Sequence, residues 1–362
     1  MRSTLRIIHS LVIATTLSFP VLLLAASETS HETASMLGGE FRDLTKTPIA
    51  FIETSDYTCS GVLVGPNLVL TAAHCIAAPA YDYLVHINGF TYAVSQALYE
   101  GAFDHSIESS IDNFKHDLGM LILSSNVNSI APIPVLLNDT FGVGDRGVVM
   151  GFGTNEYSGD LSGSLYNYGK VGLVTADSTS DGVIFSTVLH SGASTCAGDS
   201  GGPLLQTFGS NSQLDFIAVS GVVSAGTNDV DEYGNCVRGS VGESLFVDTQ
   251  SGYSLGFLAN FEGVRFISGP LMNFYIAIRD FNTALNNVGR SKNLRNVVGA
   301  CRQATRVIDQ FAPLADTKRA TLLSRVRKNL VVATKAKSLS QAKAALKKAQ
   351  GGVVTLVSYS AF

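Results

Sequence analysis

Several signatures of cofactor chemistry are missing from this chain. It has no phosphate-cradling glycine loop, no dinucleotide fingerprint and no convincing cluster with metal-ligand spacing, so no cofactor is implied. Zinc-ligand spacing, a groove-reading motif and a basic run interleaved with aromatics are absent as well, and nothing singles out nucleic acid. Charge is scarce, at 15% Asp, Glu, Lys and Arg against 46% hydrophobic residues in a chain of 362. That length and balance fit one large domain with an appendage. Long apolar runs are scarce too. One, from about Leu11 to Leu24, follows Arg2 and Arg6 and precedes Ala25-Ala26-Ser27. It reads as a secretory leader over 1–26, cleaved near Ala26. A membrane anchor is the competing reading, weakened by the shortness of the run and its interruption at Ser18 and Pro20. No other segment is apolar for long enough to span a bilayer, so the mature chain is expected to be secreted (extracellular or periplasmic), with no transmembrane segment.

What is present is chemistry built on a serine. A serine hydroxyl is a poor nucleophile at neutral pH and needs a base to take its proton, with backbone N–H groups to hold the oxyanion that follows. Gly198-Asp199-Ser200-Gly201-Gly202-Pro203 surrounds Ser200 with glycines, which let the backbone approach a substrate carbonyl. Upstream lie Thr71-Ala72-Ala73-His74-Cys75 and His116-Asp117-Leu118-Gly119-Met120-Leu121. Histidine suits a general base because its ordinary pKa is near neutrality, and a buried aspartate can orient it. Asp104 and Asp112 compete for that place, but only Asp117 leads into an apolar strand, Leu118 to Leu123. Short runs such as Gly61-Val62-Leu63-Val64, Gly147-Val148-Val149-Met150 and Phe216-Ile217-Ala218-Val219, parted by Gly, Asn and Asp turns, read as all-β.

With these motifs in the order His, Asp, Ser, the segment 36–262 resembles the chymotrypsin/trypsin-like serine proteases. The resemblance implies two six-stranded antiparallel barrels with a cleft between them, followed here by a small α-helical module. It also implies hydrolysis of protein or peptide substrates through an acyl-enzyme. His74 would be the base, Asp117 its orienting partner and Ser200 the nucleophile. The N–H groups of Gly198 and Ser200 would form the oxyanion hole. Ser224 matches the serine that hydrogen-bonds the catalytic aspartate. Of the five cysteines, Cys59–Cys75 and Cys196–Cys236 match bonded pairs, leaving Cys301, on a helix, as a buried small residue or a functional thiol, the first being favoured. Met36-Leu37-Gly38-Gly39 is similar to the family's Ile-Val-Gly-Gly. A free amine at Met36 would pair with Asp199 after removal of a pro-segment, 27–35, although Ser35 is not the usual Arg or Lys. Family spacing puts Ser194 at the base of the primary pocket, with Thr195 beside it and Gly226 at the entrance. On the third wall Ser244 facing inward makes the pocket neutral, whereas Glu243 would admit a basic side chain; the neutral pocket, for apolar or aromatic residues, is favoured. Ala225 replaces an aromatic and implies a wider cleft. A protease-like scaffold that only binds, and a non-proteolytic esterase, are the rival classes; the complete triad argues against the first.

Beyond about residue 263 the character changes. Residues 282–362 hold 15 of the 25 Lys and Arg and two acids, Asp309 and Asp316, giving +13 against −17 for the rest. Leu294, Val297, Val298, Cys301, Ala304, Ile308 and Phe311 recur at helical spacing, and Leu322, Leu323, Val326, Leu330 and Val331 form a second stripe. Ser338 or Ser340 would cap a third helix ended by Gly351-Gly352, and Val353 to Phe362 looks strand-like. Three readings of the basic extension, 263–362, stay open: a solvated face, a polyanion-binding surface, or docking onto the acidic domain of the same or a neighbouring chain. Asn228-Asp229-Val230-Asp231-Glu232 reads as a solvated turn or a calcium loop, the turn being the simpler.

Overall fold

The computed structural model describes residues 36–107, 110–137, 141–153, 168–187, 191–207, 217–229, 236–237, 240, 242–269, 289–311 and 317–360. The expected leader and pro-segment lie outside them, as do Val230, Asp231, Glu232, Pro313 and Asp316.

After a short β1 (Glu40–Asp43), six strands close a barrel in the order β2-β3-β4-β7-β6-β5: β2 (Ile49–Glu53), β3 (Thr58–Gly65), β4 (Leu68–Thr71), β5 (Leu84–Ile87), β6 (Phe90–Tyr99) and β7 (Gly119–Leu123). The apolar runs seen in the sequence fill its interior, where Val62, Leu63, Val69, Leu70 and Met120 are wholly buried. A helical turn, α1 (Ile111–Phe114), precedes β7.

The second sheet holds β1 with β8 (Val135–Leu137), β9 (Arg146–Gly151), β10 (Tyr168–Thr175), β11 (Ser178–Ser180), β12 (Val183–Thr187), β13 (Pro203–Thr207), β14 (Ile217–Gly226), β15 (Glu243–Asp248) and β16 (Phe266–Ser268). Its path runs β1-β10-β9-β13-β14-β15-β12-β11. The six central strands, β10 to β12, are the counterpart of the first barrel. Register shifts at Leu204/Leu205 and Val223/Ala225 mark bulges, which bend strands and increase twist. The sheet exceeds the six strands expected because β1 and β11 extend its edges, and β8 and β16 add parallel pairings beside Val219. A helix, α2 (Gly252–Leu258), is capped by Ser251, whose side chain accepts from the Ser254 N–H.

Three helices follow: α3 (Leu294–Phe311), α4 (Thr317–Thr334) and α5 (Leu339–Ser360). Ser338 rather than Ser340 caps the last, accepting from the Gln341 N–H at 3.3 Å. The end expected at Gly351-Gly352 and the strand expected beyond it are both corrected, since helix continues through the glycines to Ser360. Each glycine costs about 1 kcal/mol in a helix and β-branched residues less, whereas restarting another element forfeits an already nucleated one. The apolar stripes meet as expected. Val297, Cys301, Ala304, Ile308, Leu323, Val326 and Leu330 are all at most 1% exposed. They form one cluster with Leu136, Ala218 and Ile267 of β8, β14 and β16. The extension is therefore packed on the second sheet through apolar side chains. Leu330→Ala should destabilise the whole protein by about 2–5 kcal/mol in denaturant titration, with sheet and helix signals melting together. Helix melting ahead of the sheet would show the contact to be weak.

Candidate active site

The barrel register brings His74 and Asp117 together. In the β4–β7 ladder Thr71 pairs with Gly119, so the chain leaving β4 toward His74 and the chain entering β7 from Asp117 lie at the same end. A Cβ on Gly119 would come within 2.8 Å of the Ala72 carbonyl oxygen, which explains the glycine. Asp117 is 1% exposed, and both of its oxygens are engaged. Oδ1 accepts from the His74 backbone N–H at 2.8 Å, and Oδ2 lies 2.8 Å from His74 Nδ1. Ser224, on β14 of the other sheet, donates its hydroxyl to the same Oδ2 at 2.6 Å. A carboxylate on Nδ1 places the imidazole proton there and leaves the Nε2 lone pair outward. Burial pulls the His74 pKa down, but the charge of Asp117 and its hydrogen bond outweigh this and hold it above the ordinary 6.5.

Ser200 stands on a loop pinned to the first barrel. The Ser60 N–H donates to the Ser200 carbonyl at 2.8 Å, and the Ser60 hydroxyl donates to the Gly198 carbonyl at 2.8 Å while accepting from Phe152 N–H. Thr71 donates its hydroxyl to the Ser60 carbonyl at 2.8 Å. At Gly201, φ is +79° and a Cβ would collide with Thr71 Oγ1 at 2.0 Å, so only glycine fits. Ser60 escaped the sequence reading; its only signal was adjacency to Cys59. Among the described residues neither the Gly198 N–H nor the Ser200 N–H has an internal acceptor. Both disulfides, Cys59–Cys75 and Cys196–Cys236, are formed, and Cys301 is free and buried.

Asp199 is fully buried, accepting from the N–H groups of Cys196 and Gly153 at 3.0 Å each. Burial raises its pKa to about 6 against the lowering effect of those hydrogen bonds, of Lys170 and of the Met36 N–H. Met36 is itself wholly buried, and Leu37 forms a bridge with Ser194, whose N–H donates to the Leu37 carbonyl at 2.9 Å. Lys170, paired across the ladder with Gly151, reaches the Met36 carbonyl at 3.4 Å. No feature of the sequence marked Lys170, because nothing local places it there.

Two cavities flank this centre. One of about 270 Å³ lies beside His74, with Phe103, His105, Ile107, Phe114 and Ala225 in its wall. The other, about 220 Å³, lies beside Ser200 and is bounded by Thr195, Ala197, Ala225, Gly226, Asn228 and the Cys196–Cys236 pair. Ser244 is buried and accepts from the Thr195 N–H at 2.8 Å, while Glu243 is exposed. Ser194 is buried too, but does not reach the cavity wall.

Residues 38–240 match the family described as Trypsin, more than half of the chain. The chain belongs to that family, and its class is serine endopeptidase. It is 29% identical over 222 residues to the serine protease SP24D of Anopheles gambiae, covering 55% of this chain and 76% of that one. It is 28% identical over 176 residues to granzyme M of Rattus norvegicus, covering 43% and 67%. A solved structure of neuropsin, a serine protease expressed in the limbic system of mouse brain, aligns over 61% of this chain and 98% of that one, with 22% identity and a TM-score of 0.46. Among the described residues no helix is long and apolar enough to cross a membrane.

Proposed function

We propose that the protein is a secreted endopeptidase, made as a zymogen, that cleaves peptide bonds with His74, Asp117 and Ser200 and has a neutral primary pocket. The hydrogen-bond chain Ser224–Asp117–His74 carries this reading, because it fixes the imidazole with Nε2 free to act as base. In this reading Ser200 Oγ attacks the scissile carbonyl as His74 takes its proton, and the unspent N–H groups of Gly198 and Ser200 receive the oxyanion. His74 then protonates the leaving amine, and water repeats the sequence to release the acid. Burial of Met36 next to Asp199 supports the zymogen step: a new ammonium at Met36 would bring charge to a carboxylate that burial makes costly to ionise. The cavity beside Ser200, which has no charged side chain among its described lining residues, supports the neutral pocket. The shared core with Leu136 and Ala218 supports docking of the extension on its own chain.

The test is the intact mass of the secreted protein before and after a fluorophosphonate probe. One adduct on Ser200, on a chain starting at Met36, is expected. A labelled chain still starting at Ser27 would refute the zymogen step. No adduct on a chain starting at Met36 would refute the triad.

A further inference from the structure

The cavity beside Ser200 is lined by Asn228 and not by Ser194, the residue expected at its base. The Asn228 side chain is held at every polar atom. Nδ2 donates to Ser194 Oγ at 2.6 Å and to the Thr195 carbonyl at 2.9 Å, and Oδ1 accepts from the Gly242 N–H at 3.1 Å. The reversed amide would set Oδ1 against the Thr195 carbonyl, so the network fixes its orientation.

Behind it the hydroxyls are hydrogen-bonded to one another. Ser244 Oγ takes the Thr195 N–H at 2.8 Å and the Thr195 hydroxyl at 3.0 Å, so its own proton goes to Ser194 Oγ, 3.0 Å away. Ser194 and Ser244 are 0% exposed, whereas Asn228 is part-exposed and lines the cavity. The amide thus stands between the cavity and the serine that the sequence placed at its base. Among the described residues no side chain narrows the entrance at Gly226, where a Cβ would meet nothing closer than 3.4 Å. The mouth is open and the depth is cut short.

We propose that Asn228 forms the floor of the primary pocket and determines its specificity, admitting small uncharged side chains and excluding aromatic and basic ones. This rests on the protease reading above and replaces its aromatic preference. A bound side chain longer than the space above Asn228 would have to displace an amide that makes three hydrogen bonds, leaving the Thr195 carbonyl without its donor and buried Ser194 Oγ with one donor fewer. A short one leaves the network intact.

The experiment compares peptides that differ only in the residue before the scissile bond (Ala, Val, Phe or Arg), with fluorophosphonate labelling of Ser200 as a separate readout. The wild type should cleave after Ala or Val with kcat/KM at least tenfold above that after Phe or Arg. Asn228→Ala and Asn228→Gly should each raise the Phe-to-Ala ratio by tenfold or more. Being a ratio within one protein, it is indifferent to any loss of folded enzyme. A wild type that favours Phe or Arg overturns the proposal, as does an unchanged ratio in both variants. Absence of labelling in the wild type would instead refute the protease reading.

Discussion

Ser200→Ala should lower kcat on a good peptide substrate by about 10⁶-fold, the scale reached when the nucleophile of such a triad is removed from another serine protease. The expectation depends on the loss being chemical. The loop at Ser200 is held by its backbone, through the Ser60 N–H on the Ser200 carbonyl and the Gly201 N–H on the Val223 carbonyl, both at 2.8 Å. Alanine keeps both bonds, and among the described residues the Ser200 hydroxyl has no hydrogen-bond partner to forfeit. The melting temperature should therefore stay within about 2 °C of the wild type, as for substitutions that leave packing and hydrogen bonds untouched. Steady-state kinetics beside a thermal melt make the check. An activity within tenfold of wild type would remove Ser200 as the nucleophile. A large fall in melting temperature would make the activity loss structural.

Asp117→Asn comes next in size, with kcat expected to drop by about 10⁴-fold at neutral pH, as a wrong imidazole tautomer costs elsewhere. An amide at this place can turn either its oxygen or its NH₂ toward Nδ1, but it must also serve the His74 N–H at 2.8 Å and the Ser224 hydroxyl at 2.6 Å. The oxygen satisfies the backbone donor, the NH₂ then faces Nδ1, and the imidazole proton is driven to Nε2 where it blocks proton abstraction. The pH profile carries the same information. His74 must be neutral to act as base, so activity falls as pH drops through its pKa. Burial lowers that pKa while the Asp117 charge and hydrogen bond raise it to a net value above 6.5. The wild-type acidic limb should accordingly lie above pH 6.5, and in Asp117→Asn it should move to lower pH as burial acts alone. A limb that stays in place would mean that Asp117 does not control the titration.

The parts of the site that could be read in the sequence are those whose chemistry is local. His74, Asp117 and Ser200 sit in short runs where neighbouring glycines, alanines and an apolar strand fix the backbone. The strands of the first barrel are legible for a similar reason, since Val62–Val64 and Leu68–Leu70 are apolar over lengths that suit buried strands. Ser60 and Asn228 were not legible. Each matters through partners brought near by folding: Gly198 is 138 positions from Ser60, and Ser194 is 34 from Asn228. Glu243 and Ser244 could not be told apart as pocket residues because a one-residue change of register exchanges the faces of a strand. Ser244 is wholly buried and Glu243 exposed, so it is Ser244 that turns inward. The C-terminal misreading has a different cause. Val353, Val354 and Thr355 favour strand as individuals, but cooperative helix growth from Leu339 outweighs single-residue preference.

One strand serves two masters. Ala218, near the start of β14, is buried among the helices of the extension, while Ser224, six residues on, holds Asp117. At about 3.3 Å per residue the two points are some 20 Å apart along a single paired backbone. A composition break near residue 263 invites cutting the chain there into enzyme and accessory. Such a cut would uncover the far end of the strand whose Ser224 holds Asp117, so the accessory doubles as scaffolding, and inheriting the protease without it would require a new cover for that face.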